Sequence, residues 1–124
     1  MNLGNTGSAG EEYATKFLSQ KGYEIITRNY HSRYGEIDII CKYDRYIVFV
    51  EVKTRGRTAI ATGREAVNPS KQRKILKTAL LYLSVNNNAE LQPRFDIVEI
   101  TVGERVTVQH IENAFDGSAL HGFI

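Results

Sequence analysis

The sequence predicts an α/β domain built on a mixed β-sheet flanked by helices, with elements in the order α-β-β-β-α-β-β. Three observations carry this expectation. Residues 35–55 contain two runs rich in Ile, Val and Tyr, separated only by Asp44 and Arg45, which is the pattern of a β-hairpin. Two stretches, 9–21 and the one opening at Asn68-Pro69, repeat apolar residues at helical spacing. Two further strand-like runs, 95–102 and 105–111, follow the second helix, and this succession gives a mixed sheet between helices.

In the first helix Tyr13, Ala14, Phe17 and Leu18 form the apolar stripe, and Gly22 is a natural stop. Ser8 with Glu11 three residues on is a capping-box pattern, which is the purely structural reading of Glu11. Residues 23–30 read as the first strand and 31–35 as a polar turn; the hairpin then supplies strands two and three. Residues 47–50, Ile-Val-Phe-Val, are apolar on both faces, so the third strand is expected to be central and covered on both sides. Residues 54–67, with Gly56 and Gly63, have no clean period and are expected to form a mobile loop. Pro69 suits the first turn of the second helix, whose expected buried stripe is Ile75, Leu76, Ala79, Leu80 and Leu83, with Lys71, Lys74 and Thr78 along another face. A run of three Asn at 86–88 ends it, and Gly103-Glu104 turns between the last two strands.

With 124 residues, 42% hydrophobic and 24% charged, the chain fits one domain. It is expected to span 1–124, with the core at about 9–111 and flexible ends at 1–8 and 113–124. No apolar run suits a signal peptide or a membrane span. Cys41 is the single cysteine, which excludes an intrachain disulfide and makes a cytoplasmic location the simplest expectation. The net charge of +2 is unevenly distributed: residues 53–77 hold eight basic side chains against one acid, Glu65, while the rest of the chain is net acidic. This segregation suits either a surface for a polyanion or a solvated helix face beside a loop.

The acids inside the hairpin need a reason. If Asp44-Arg45 is the turn, Tyr43 faces Tyr46, Asp38 lies opposite Glu51, and Glu36 lies opposite Lys53, with all four side chains on one face. Like charges directly opposed on a sheet are destabilising. At about 5 Å and an effective dielectric of about 20 the repulsion is about 3 kcal/mol, a large fraction of a small domain's stability. One reading is an ion-pair network in which Lys53 neutralises Glu36 and Glu51, which leaves Asp38 without a cation. The other is metal-dependent phosphodiester hydrolysis, with Asp38 and Glu51 holding Mg²⁺ or Mn²⁺ and Lys53 orienting water or stabilising charge on the phosphorane. Arg55, Arg57, Lys71, Arg73 and Lys74 of the basic loop and second helix would then hold the nucleic-acid backbone, which gives affinity without sequence preference.

Asp38, twelve intervening residues, then Glu51-Val52-Lys53 resembles the signature of the PD-(D/E)XK nuclease superfamily, whose restriction-endonuclease-like core is a mixed sheet flanked by helices. Gly10-Glu11-x-x-Ala14, Arg28-Asn29-Tyr30, Gly35-Glu36-Ile37-Asp38, the run from Val48 to Arg55, Lys71 and Arg94-Phe95-Asp96 together resemble the YraN-type family of bacterial proteins, which is similar to archaeal Holliday junction resolvases. The resemblance runs from Gly10 to Ile100. It implies that Asp38 and Glu51 are metal ligands with the Val52 carbonyl as a third, and that Lys53 is the catalytic lysine. It also turns Glu11 from a helix cap into an active-site acid, and makes Lys71 a phosphate contact. The resemblance itself does not supply a substrate; the expected one is DNA, branched or otherwise structured, and symmetrical cutting of a junction would require a homodimer. The rivals are a non-catalytic nucleic-acid-binding module that keeps the fold, and a protein-interaction domain.

Other residues carry less. His31, His110 and His121 lack paired metal-ligand spacing and read as surface or turn residues. Cys41 reads as a small packed apolar residue. Arg28 and Arg94 suit structural ion pairs as well as DNA contacts, with Asp96 a partner for Arg94.

Overall fold

The computed structural model describes residues 7–56, 67–86 and 90–117. Its elements follow the expected order: α1 (Gly7–Gln20), β1 (Glu24–Ser32), β2 (Gly35–Tyr43), β3 (Tyr46–Gly56), α2 (Pro69–Val85), β4 (Gln92–Val102) and β5 (Val106–Phe115). The five strands form one sheet in the order β1-β2-β3-β4-β5. All neighbours are antiparallel except β3 and β4, which run parallel because α2 carries the chain back across the sheet. Among the described residues no helix is long and apolar enough to cross a membrane.

Each face of the sheet has its own core. Ile47 and Phe49 of β3 pack with Ile40, Ile97 and the α2 residues Ile75, Leu76, Ala79 and Tyr82. Val48 and Val50 point the other way, to Ile39, Cys41, Val98, Ile100 and the α1 residues Ala14 and Leu18. The unbroken apolar run at 47–50 thus belongs to a central strand covered on both sides, and each of these side chains contributes about 1.5–3 kcal/mol of burial. Cys41 is fully buried, donates to the Val48 carbonyl, and has its thiol pKa pushed up to about 12, chiefly by burial. It is a packing residue, as expected.

Several element limits, and the buried face of α2, differ from the sequence expectation. Helix α1 already includes Gly7, so Ser8 does not precede the first turn, and the Glu11 carboxylate is engaged by β1 rather than by the helix start. Strand β3 continues to Gly56, paired residue by residue with β4, because a parallel neighbour satisfies the backbone of 54–56, which lacks any apolar period of its own. Strand β5 runs on to Phe115, with Phe95 opposite Phe115 and Ile97 opposite Ile111. A bulge at Asn113, which has a φ of 51°, takes up the extra residues and hides the alternation from a sequence reading. In α2, capped by Asn68 accepting from the Lys71 N–H, Thr78 and Tyr82 are buried while Leu80 is 49% exposed. The aliphatic side chains of α2 span more than one face, and the sheet takes the one centred on Ile75, Ala79 and Tyr82.

Gly10 explains how α1 sits so close to the sheet. A Cβ at this position would collide with the Thr54 hydroxyl oxygen, so the helix can approach the end of β3 only where the side chain is missing.

Candidate functional site

The site begins where the hairpin opens. Backbone pairing between β2 and β3 runs from Tyr43 opposite Tyr46 to Ile39 opposite Val50, in the expected register, and stops there. Asp38 and Glu51 would have been the next pair and Glu36 with Lys53 the one after. Instead the strands part, and Asp38 Oδ2 accepts a 2.7 Å hydrogen bond from the Val52 N–H, which occupies a backbone donor that has left the ladder. Glu36 does not reach Lys53; it is exposed and pairs with His31 Nδ1 at 3.1 Å.

Glu51, 7% exposed, gathers the cations of the site. Its Oε1 lies 2.7 Å from Lys71 Nζ and 3.5 Å from Lys53 Nζ, so one residue from the second helix and one from its own strand share a single oxygen. Asp38 and Glu51 line the same open cavity of about 420 Å³, whose other wall is the first turns of α2, including Asn68, Ser70, Lys71 and Lys74. Lys53 reaches the site through Glu51 rather than from the cavity wall.

The electrostatics follow from this crowding. Burial, and then the charge of Glu51, raise the Asp38 carboxyl to about 7, against the pull of the Val52 N–H. Burial, and then the hydrogen bond from Lys71, hold Lys53 below the ordinary lysine range. Burial pulls Lys71 down as well, but its bonds to Glu51 and Lys53 outweigh that and leave it raised.

Glu11, 5% exposed, stands beside this group without lining the cavity. Its charge contributes to raising Asp38, and its Oε1 accepts from Arg28 Nε at 3.1 Å and from Asn29 Nδ2 at 2.8 Å. Successive strand residues normally point to opposite faces. Asn29 has a φ of 53°, a left-handed conformation that Asn tolerates, and this lets both side chains grip one carboxylate. Arg28 also bonds Glu12 at 2.8 Å, so it is a structural ion-pair partner for both acids of α1.

The expected nucleic-acid contacts separate. Lys71 and Lys74 lie on the cavity wall. Arg73 is on α2 away from that wall, and Arg55 is paired with Glu99 at 2.9 Å within the sheet. Arg57 lies outside the described residues. On the α1 face, Arg94 forks onto Asp96 at 2.8 and 2.9 Å and bonds Tyr23, confirming that ion pair. His110 is not a surface residue. Its ring is buried with Nε2 2.7 Å from Asp96 Oδ2, because β5 brings it over a fully buried carboxylate that needs donors.

Among the described residues no three His, Cys, Asp or Glu side chains converge as a ligand group. Two carboxylates facing one open cavity, one of them raised by burial and then by the other's charge, suit a hard cation that keeps much of its water and takes oxygen from a phosphate. They do not suit zinc.

The model of the Uncharacterised protein family UPF0102 matches residues 10–100. The chain belongs to the UPF0102 family. This is the YraN-type family that the motifs resemble. A UPF0102 protein of Pelobacter propionicus is 47% identical over 116 residues, covering 90% of this chain and 83% of the relative. One from Caldanaerobacter subterraneus subsp. tengcongensis is 45% identical over 119 residues, covering 93% and 98%, and one from Syntrophomonas wolfei is 46% identical over 110, covering 88% and 96%. The UPF0102 match begins at the glycine that seats α1 and ends in β4, so it contains Glu11, Asp38, Glu51, Lys53 and Lys71.

Proposed function

We propose that this protein is a Mg²⁺- or Mn²⁺-dependent endonuclease that hydrolyses DNA phosphodiester bonds at the cavity between β2, β3 and the start of α2. The observation that carries this reading is that Asp38 and Glu51 line one open cavity whose far wall presents Lys71 and Lys74, with Lys53 bonded to Glu51. Asp38 and Glu51, with the Val52 carbonyl, would hold the cation, which supplies Lewis-acid polarisation of the phosphate and lowers the pKa of a water.

The chain's own residues do the rest. Lys71 and Lys74 neutralise the backbone phosphates that line up along the cavity wall. Lys53, fixed by Glu51, donates to the oxygen on which charge develops. Glu11, immobilised by Arg28 and Asn29, adds negative charge beside Asp38 and so strengthens the site's preference for a divalent cation over a monovalent one. Val52 holds Asp38 in place through its N–H, so one carboxylate oxygen is oriented before any ligand arrives.

One observation favours a second reading, a nucleic-acid-binding module without catalysis: Lys53 and Lys71 already neutralise Glu51 from within. Incubating branched, single-stranded and duplex DNAs with the protein and Mn²⁺ separates the two. Cleavage that is lost in Glu51→Gln supports the enzyme, whereas binding with no cleavage of any DNA supports the module.

A further inference from the structure

Beside the cavity, the turn between β1 and β2 carries an aromatic ring dressed with cations. Tyr34 is half-buried; Arg33 Cζ lies 5.0 Å and Lys77 Nζ 5.4 Å from its ring centroid, and Arg33 donates to its hydroxyl at 3.0 Å. The turn is firmly held. Ser32 Oγ accepts from the Tyr34 N–H at 3.0 Å and sits 2.8 Å from Thr78 Oγ1 of α2. Gly35, the next residue, is a wall of the cavity, and a Cβ there would come within 3.4 Å of Lys74 Cβ. Its φ of 153° is likewise a conformation that L side chains rarely adopt.

Lys71, Lys74 and Lys77 recur every third residue, so they step along one edge of α2 by about 4.5 Å at a time. The first two line the cavity and the third reaches Tyr34. A phosphate backbone that lies in the cavity and follows these lysines passes the tyrosine within one or two nucleotides. A ring on a held turn, with cations at its face and outside both apolar clusters of the described residues, suits a base rather than a protein side chain. Bases inside a duplex already stack on each other and have no free face to offer.

We propose that Tyr34 is a stacking platform for an unpaired base of the strand that enters the cavity, so that DNA with a single-stranded segment next to the cleaved bond is the preferred substrate class. The base takes the place of the exposed Arg33 guanidinium on the ring, and Arg33 turns to a phosphate. This rests on the nucleic-acid reading above.

The chain contains no tryptophan, so Tyr34→Trp introduces a single indole reporter at the platform. In EDTA, a short single-stranded oligonucleotide is expected to quench that indole saturably, and a duplex of the same length to leave it unchanged. By anisotropy, Tyr34→Ala is expected to weaken single-strand binding about tenfold and to spare duplex binding, while Tyr34→Phe retains both. An indole that stays unchanged while the single strand binds, or that duplex quenches equally, overturns the platform and leaves the nucleic-acid reading standing. Failure of every labelled DNA to bind the unmodified protein overturns both.

Discussion

Lys71 Nζ lies 2.7 Å from Glu51 Oε1, on the same oxygen that Lys53 approaches to 3.5 Å. Two lysines on one carboxylate oxygen make Glu51 the hinge of the site's charge. On the proposed reading, Glu51→Gln removes a cation ligand together with the anchor of both lysines, while Lys71 and Lys74 remain for phosphate. Cleavage is expected to fall by at least about a hundredfold, with DNA affinity within about threefold of the parent. Paired cleavage and anisotropy assays on one DNA check it; unchanged cleavage would sink the mechanism.

Cation binding should be visible without any substrate. At a Mn²⁺ concentration about 100 times the dissociation constant, stability is expected to rise by about 2.7 kcal/mol, read as a shift of several degrees in melting temperature. Asp38→Asn should remove most of that shift. An equal shift in the variant means the ion sits elsewhere.

The raised Asp38 carboxyl makes metal-free stability depend on pH with a definite sign. Its pKa is about 7 in the folded protein and about 3.9 in the unfolded chain, so the native state holds the proton more tightly. The benefit of protonation is fully present below about 4 and is lost as pH rises through about 7. In EDTA the melting temperature of the parent relative to Asp38→Asn should therefore decline between pH 5 and 8, and saturating Mn²⁺ should abolish the decline. A flat difference across that range contradicts it.

Asp96 works in the opposite sense. Burial alone would raise it, but His110, Arg94 and the Asn113 N–H hold its carboxyl below the ordinary range. Its contribution is present above the unfolded value of about 3.9 and is lost as pH falls through the folded value. Asp96→Asn leaves the Arg94 guanidinium short of its counter-charge and should cost about 3–5 kcal/mol in urea unfolding at pH 7. The gap between parent and variant should narrow in acid.

Gly10→Ala should destabilise the protein by about 1–3 kcal/mol, because the new methyl meets the Thr54 hydroxyl. Adding Thr54→Ala removes that oxygen, so the double variant should recover most of the loss. Additive losses in a double-mutant cycle would show that the loss does not come from this contact, since helix propensity by itself favours alanine over glycine here.

Much of the fold could be read in the sequence because its signals are local. A two-residue turn and the alternation of side chains set the β2–β3 register, and the apolar run at 47–50 announced a central strand. What escaped depends on backbone exceptions or distant partners. Nothing in the composition of β2 says that the ladder ends after Ile39, and the splay there separates Glu36 from Lys53. Asn29 and Asn113 take left-handed conformations that redirect a side chain in one case and absorb a bulge in the other. The link of Lys71 to Glu51 spans 20 residues of sequence, so spacing could mark the lysine as basic but not as this acid's partner.

The parallel pairing of β3 with β4 has a consequence for synthesis. Each residue of β3 meets a partner 46 positions further along, from Tyr46 with Gln92 to Gly56 with Val102. At roughly 5–20 residues per second, a ribosome takes roughly 2–9 s to supply that partner. During that interval the hairpin can form, but one side of the Ile-Val-Phe-Val strand stays open to any other nascent chain. The most apolar segment of the protein is therefore the last of the first three strands to be enclosed, and overexpression at high temperature should aggregate the chain through it before it harms any finished molecule.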